Sequence, residues 1–267
     1  MGSFPGTIDD AEAAAYAVVG APLDVSTSFR PGTRFGPDRL RRFARPLDEY
    51  DRRTGLHFSD LGVFDAGDLA AWDDAEEYLT FLEGDVRDHV DAGRVPLVVG
   101  GEHTVTVAGV RATAPDVYVS LDAHLDLYEA YAGNELSHAT VTRHALDVVD
   151  EAVLVGARTG SEAEWNRAAA ADVTVVEPER VDEWTPSFDG EFYLSVDIDA
   201  ADPGFAPATG TPAPFGLTPR EMRRVVRAVA PHAVGFDVVE VNDRDDGQTA
   251  TLGAKLLQEF VFSHADG

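Results

Sequence analysis

The chain has 267 residues, 44% of them hydrophobic, with 48 acidic against 21 basic side chains, no cysteine and a formal net charge of −27. That length and apolar content suffice for one large α/β domain or two smaller ones. The lack of cysteine excludes disulfides and thiolate metal sites, and so acidic a chain should repel nucleic acid and anionic membranes.

Short apolar runs alternate with helix-length amphipathic stretches. Ala17-Val18-Val19-Gly20 reads as a first strand, and a Gly-, Pro-, Ser- and Thr-rich loop follows from Asp24 to Pro37. A helix is predicted to begin near Asp38. Asp73 to Ala92 carries Ala75, Tyr78, Leu79, Leu82, Val86 and Val90 at helical spacing, and Gly93 should stop it. Pro96 to Val99, Val117 to Leu121, Ala152 to Val155, Val173 to Val176, Phe192 to Val196 and Ala233 to Val239 are continuous apolar runs of strand length. Strands buried on both faces of a parallel sheet look like this. Helical patterns follow at 104–112, 139–149, 161–171, 218–229 and 248–262. This alternation predicts one doubly wound α/β domain over residues 1–267.

The acidic residues are dispersed among these apolar segments, unlike the long charge blocks of disordered chains. Only Lys255 among the basic residues is a lysine. Such a surface suits high salt, where self-repulsion is screened, so a halophilic source is an expectation. Attraction of a small cationic substrate is a second benefit. No apolar run approaches the roughly 20 residues that cross a bilayer. Met1 to Asp10 lack the pattern of a signal peptide, and a cytoplasmic location is expected.

Doubly wound sheets hold ligands at the carboxyl ends of their strands, which directs attention to the polar residues after each apolar run. Three runs end in concentrated chemistry: Gly100-Gly101-Glu102-His103, Asp122-Ala123-His124-Leu125-Asp126, and Asp197-Ile198-Asp199. In extended backbone, residues two apart face the same way. Asp122, His124 and Asp126 should then project together, and likewise Asp197 and Asp199. Gly100 and Gly101 should let the chain turn sharply and bring in His103. So many buried carboxylates and imidazoles call for a compensating cation. The set is too rich for one tetrahedral zinc. Oxygen and nitrogen donors without thiolate suit manganese or a similar divalent ion, and two ions could activate one shared water. His57, His89, His144, His232 and His264 lack a comparable setting and read as structural.

These motifs resemble the arginase–agmatinase (ureohydrolase) family, together with Gly20-Ala21-Pro22-Leu23-Asp24, Asp202-Pro203, Gly210-Thr211-Pro212 and Gly235-Phe236-Asp237-Val238-Val239-Glu240. The resemblance spans nearly the whole chain. It implies a three-layer α/β/α fold with a mainly parallel eight-stranded sheet, two Mn2+ per subunit and a homotrimer or homohexamer. It places one ion on His103, Asp122, Asp126 and Asp197, and the other on His124, Asp122, Asp197 and Asp199. Glu240 matches the carboxylate that pairs with the substrate guanidinium, and His138 in Ser137-His138-Ala139-Thr140 matches a proton-shuttling histidine. A metal-bridging hydroxide would attack the guanidinium carbon, with Asp126 steadying the intermediate. Departures are small: Glu102 stands where many relatives have Asp, Ala208 replaces a common glycine, and Phe215, which could alter the pocket mouth, replaces another.

Arginases are similar in carrying Asn two residues after the last Asp of the second motif, where this chain has Tyr128. The segment Asp122 to Arg143 instead resembles prokaryotic agmatinases. The implied reaction converts agmatine to putrescine and urea, a step in polyamine synthesis. Arginase, guanidinobutyrase, aminopropylagmatine ureohydrolase and formimidoylglutamase activities are the alternatives, followed by a non-catalytic binding relative. Glu129 and Glu135 are candidates for the distal amine, though a solvated role suits each better.

Overall fold

Val117, Val119 and Leu121 join one apolar cluster while Tyr118, between them, joins another, and all are buried. That alternation repeats along the central strands and makes a sheet with helices on both faces. The computed structural model describes residues 3–187 and 190–267. The strands are β1 (Tyr16–Ala21), β4 (Val63–Asp68), β5 (Val95–Gly100), β6 (Val117–Leu121), β7 (Glu151–Val155), β8 (Val173–Val176), β9 (Phe192–Asp197) and β10 (Ala233–Val239), with a small hairpin of β2 (Tyr50–Asp51) and β3 (Leu56–His57) outside the main sheet. The eight-stranded sheet runs in the order β4-β1-β5-β10-β9-β6-β7-β8, every pairing parallel.

One face is covered by α1 (Gly36–Ala44), α6 (Pro219–Val229) and α7 (Gln248–Ala265), whose Leu40, Met222, Val225 and Leu257 share a cluster with Val119 and Leu194. The other carries α2 (Ala75–Asp91), α3 (Thr106–Thr113), α4 (Val141–Ala145) and α5 (Glu162–Ala168), with Leu79, Val86, Val107 and Val141 packed around Val98 and Leu154. The result is the expected three-layer α/β/α fold.

Local chemistry sets the helix ends. The Asp74 side chain accepts from Glu77 N at 2.9 Å, and Glu76 and Glu77 complement the positive end of α2. Thr218 and Glu221 form a reciprocal capping box at α6, with Pro219 at its first position. The predicted helix at 139–149 is shorter than its pattern, covering only Val141–Ala145 after a 3-10 turn at His138–Thr140.

Strand β4 has no counterpart among the apolar runs. Its Val-Phe-Asp-Ala-Gly-Asp sequence lies at the sheet edge, where Asp65 and Asp68 face the buried Arg41 of α1.

Register positions the site. Leu121 pairs with Val196, Val196 with Val238, and Val238 with Val99. The residues that follow these four positions therefore leave one edge of β5, β10, β9 and β6 at the same level. Strands β5 and β6 are consecutive in the main sheet by sequence yet separated by β10 and β9, which makes this edge a topological switch point.

Candidate metal centre

Glycines at the end of β5 admit close packing there. A Cβ on Gly101 would stand 1.9 Å from the Leu23 carbonyl oxygen, and one on Gly100 would stand 2.6 Å from Val239 Cγ1. Neither glycine has a positive φ. The expected sharp turn is thus replaced by a requirement for space, after which His103 opens a 3-10 turn leading into α3.

The acidic motifs also converge by means other than strand alternation. Strand β6 ends at Leu121, so Asp122, His124 and Asp126 lie in the following loop, and Asp126 adopts the left-handed region with φ 51°. Asp197 closes β9 and caps the next turn, its Oδ1 accepting from Asp199 N at 2.8 Å. Glu240, directly after β10, is also left-handed, with φ 61°. Such backbone costs of order 1 kcal/mol or more for a residue other than glycine. Hydrogen bonds hold it in place: Glu240 N donates to Gly101 O at 2.8 Å and Arg143 N to Asp126 O at 3.2 Å.

Two groups of donor atoms result, His103 with Asp122 and Asp126, and His124 with Asp122 and Asp199. His103 Nδ1 lies 2.9 Å from Asp126 Oδ2, 3.2 Å from Asp122 Oδ2 and 3.5 Å from Asp197 Oδ2. His124 Nδ1 lies 3.1 Å from Asp199 Oδ2 and 3.5 Å from Asp122 Oδ1. Asp122 thus turns one oxygen to each group. Asp197 meets the first group at its margin. Among the described residues, His57, His89, His144, His232 and His264 join neither.

The chemistry of these donors fits a cation. Ser195 Oγ donates to Asp237 Oδ1 at 2.7 Å, and His103 Nε2 lies 3.1 Å from Ser195 Oγ. With its proton committed, Ser195 accepts from Nε2–H, and Tyr118 Oη, 3.3 Å from the same nitrogen, can share that proton as an acceptor; a neutral ring so arranged has its lone pair on Nδ1. That buried atom has no hydrogen-bond partner of good geometry although three carboxylates surround it. A lone pair among anionic oxygens demands positive charge, from a proton or from a metal ion. The same demand shows in titration. Burial pushes Asp126 up to about 7 against the pull of His103, with Asp122 adding repulsion. Burial likewise lifts Glu240 to about 8. Burial opposes charge on His124, but Asp199 and Asp122 overturn it and drive that imidazole up to about 12.

A cavity of about 360 Å³ opens over His124 and Asp126 and is walled by Tyr128, Tyr131, His138 and Glu164. Tyr128 and Tyr131 meet edge to face with ring centroids 5.3 Å apart, and Tyr131 meets His138 at 5.8 Å. Burial lowers the His138 pKa below the ordinary imidazole value. Glu129 and Glu135 lie outside this lining, and both are exposed. Phe215 is 83% exposed and also stands apart from it, its N–H donating to Asp202 Oδ2 at 2.8 Å. A larger hollow of about 820 Å³ lies beside α2, but its only imidazole, His144, has Nε2 2.8 Å from the Glu135 carbonyl oxygen.

The cavity lining also carries Glu164, which belongs to none of the three acidic motifs. Its carboxylate accepts from Ser161 N, Ser161 Oγ and Leu127 N at 2.8, 2.9 and 3.2 Å, tying α5 to the loop after Asp126. The spacing Ser161-x-x-Glu164 is a capping-box signature and could have revealed it.

The model of the arginase family matches residues 14–263. The chain belongs to the arginase family. It is 35% identical to an agmatinase of Bacillus anthracis over 94% of this chain and 92% of that one. It is 34% identical to a guanidinobutyrase of Pseudomonas aeruginosa over 92% and 85%. The crystal structure of the agmatine ureohydrolase of Thermoplasma volcanium superposes with a TM-score of 0.93 at 34% identity, covering 100% of this chain and 95% of that one. The chain is therefore an arginase-family ureohydrolase whose His and Asp clusters could hold metal. Among the described residues no helix is long and apolar enough to cross a membrane.

Proposed function

We propose that this ureohydrolase converts agmatine to putrescine and urea with two manganese ions. The observation that carries this reading is the charge of the cavity: with Asp126 given to a metal ion and imidazoles aside, its charged lining group is Glu164, and neither Lys nor Arg stands among the described lining residues. Agmatine is cationic at both ends, whereas 4-guanidinobutyrate and arginine bring a distal carboxylate that this wall would repel. Relatives named agmatinase support the same choice.

His103, Asp122, Asp126 and Asp197 would hold one ion, and His124, Asp122, Asp197 and Asp199 the other. Bound there, the ions would lower the pKa of a shared water and supply a hydroxide nucleophile near neutral pH. The remaining work falls to side chains. Glu240 uses Oε1 to accept the His103 backbone N–H at 2.9 Å. Its second oxygen can receive the planar guanidinium, and that pairing offsets the burial of a lone carboxylate. Asp126 accepts a proton from the attacking water. His138, at the cavity wall, passes a proton to the departing amine, a role suited to imidazole.

The test is a panel of agmatine, 4-guanidinobutyrate, arginine, aminopropylagmatine and formiminoglutamate on manganese-loaded protein, reading urea or formamide. Agmatine should show the highest kcat/KM, at least about tenfold above 4-guanidinobutyrate, a ratio that takes only ~1.4 kcal/mol of differential binding. A preference for either carboxylate-ended substrate would sink the assignment. Absence of metal-dependent release from every member would favour a non-catalytic relative.

A further inference from the structure

Glu102 is fully buried one residue before His103, yet it faces away from the metal cluster. Its Oε2 accepts from Val25 N at 2.6 Å and Ser26 N at 2.7 Å. Its Oε1 accepts from Ser26 Oγ and Thr104 Oγ1, each at 2.7 Å. A carboxylate only accepts, so both hydroxyls commit their single proton to it. Ser26 Oγ then has two lone pairs left, and two nitrogens of His138 stand at it: the backbone N at 3.0 Å and ring Nδ1 at 3.2 Å.

That count leaves one arrangement. The backbone N–H of His138 donates to Ser26, and Nδ1 must donate as well, because the hydroxyl has no proton to give. In a neutral imidazole the other nitrogen is then an acceptor. Nε2 lies 3.2 Å from Ser28 Oγ, whose proton it can accept, and both groups line the cavity. Tyr131 packs against the imidazole in a T-shaped contact, ring centroids 5.8 Å apart.

We infer that Ser26, anchored by Glu102, is a positioning residue that locks His138 in the Nδ1–H tautomer and presents a basic Nε2 to the reacting centre. Nε2 would take up the proton that Asp126 receives from the nucleophile and pass it to the leaving nitrogen, with Nδ1–H held on Ser26 throughout. The catalytic consequence rests on the hydrolase reading above; the tautomer does not.

Nitrogen-15 NMR of histidine-labelled protein tests it at mildly alkaline pH, where an imidazole is neutral, with the His138 signals assigned by their loss in His138→Asn. Wild type should show a protonated Nδ1 and an unprotonated Nε2. Ser26→Ala should shift both signals toward a mixture of tautomers, and Ser26→Thr should restore them. In steady-state assays Ser26→Ala should lower kcat at least about tenfold with KM and bound metal little changed, a part of the roughly hundredfold or more that a positioned acid–base group contributes. An Nε2–H tautomer in wild type, or no change in Ser26→Ala, would overturn the inference. Because the spectra need no substrate, a wild type that hydrolyses no guanidino compound would defeat the functional reading and leave the tautomer result standing.

Discussion

Asp237 reaches His103 through Ser195, whose hydroxyl donates to the carboxylate and receives the far nitrogen of the imidazole. All three are buried, on neighbouring strands β9 and β10 and on the turn after β5. Ser195→Ala removes the link without touching a carboxylate of the cluster. Partners of this kind orient a ligating ring, and their loss typically weakens metal binding by about 10–100-fold. Competition against a chelating dye should show a fall in that range, and because the change strips buried Asp237 of its hydroxyl donor, the metal-free protein should lose about 1–3 kcal/mol of stability. Equal affinities would mean that Tyr118 Oη, 3.3 Å from the same nitrogen, and packing orient the ring without Ser195.

The motifs were legible because carboxylates and imidazoles at the ends of apolar strands are costly to bury unless a cation joins them. Strand alternation does not account for how these side chains converge. Alternation along a strand suggested that Asp122, His124 and Asp126 share a direction, yet all three lie beyond β6 and one sits in left-handed backbone. They converge because the loop is pinned by distant partners, Arg143 and Glu164 among them. Sequence spacing carries no record of such contacts. Ser26 and Glu102 are 76 positions apart, and their pairing depends on how the loop after β1 crosses the end of β5. Strand β4 does not read as an apolar run for a related reason: its acids are satisfied by Arg41, so its sequence need not be apolar.

That ion pair gives an acid-stability prediction. Asp65 binds Arg41 through both oxygens at 2.8 Å, and it also accepts the Phe4 and Gly67 backbone N–H groups. Burial opposes the charge of Asp65, but these donors outweigh it and hold its pKa below the ordinary carboxylate value. A depressed carboxylate contributes its full stability above the unfolded value, about 3.9, and loses it as pH falls through the lower folded value. Asp65→Asn should cost about 3 kcal/mol at neutral pH, the low end for breaking a buried pair, because Asp68 still faces Arg41. The gap between wild type and variant in denaturant unfolding of metal-free protein should narrow below pH ~4. A gap that stays constant with pH would show that Asp65 acts by packing and not by charge.

Arg158 offers a second structural test, closer to the metal cluster. Its guanidinium donates to the carbonyls of Gly156, Asp199, Ala200, Ala213 and Pro214 at 2.6–3.1 Å. One side chain thereby ties the end of β7 to the loop that carries Asp199 and to the segment before Phe215. Only a planar fork can serve so many directions at once, so Arg158→Lys is not conservative here. A lysine ammonium, with three protons on one atom, would leave several partly buried carbonyls unmatched, each worth about 1 kcal/mol or more. The expected loss is about 2–4 kcal/mol, or a fall in melting temperature of roughly 5–10 °C for a chain of this size. Because Asp199 belongs to one donor group and not the other, metal titration of the variant should show one weakened site beside one near-normal site. Uniform weakening of both would place the effect of Arg158 on the fold as a whole.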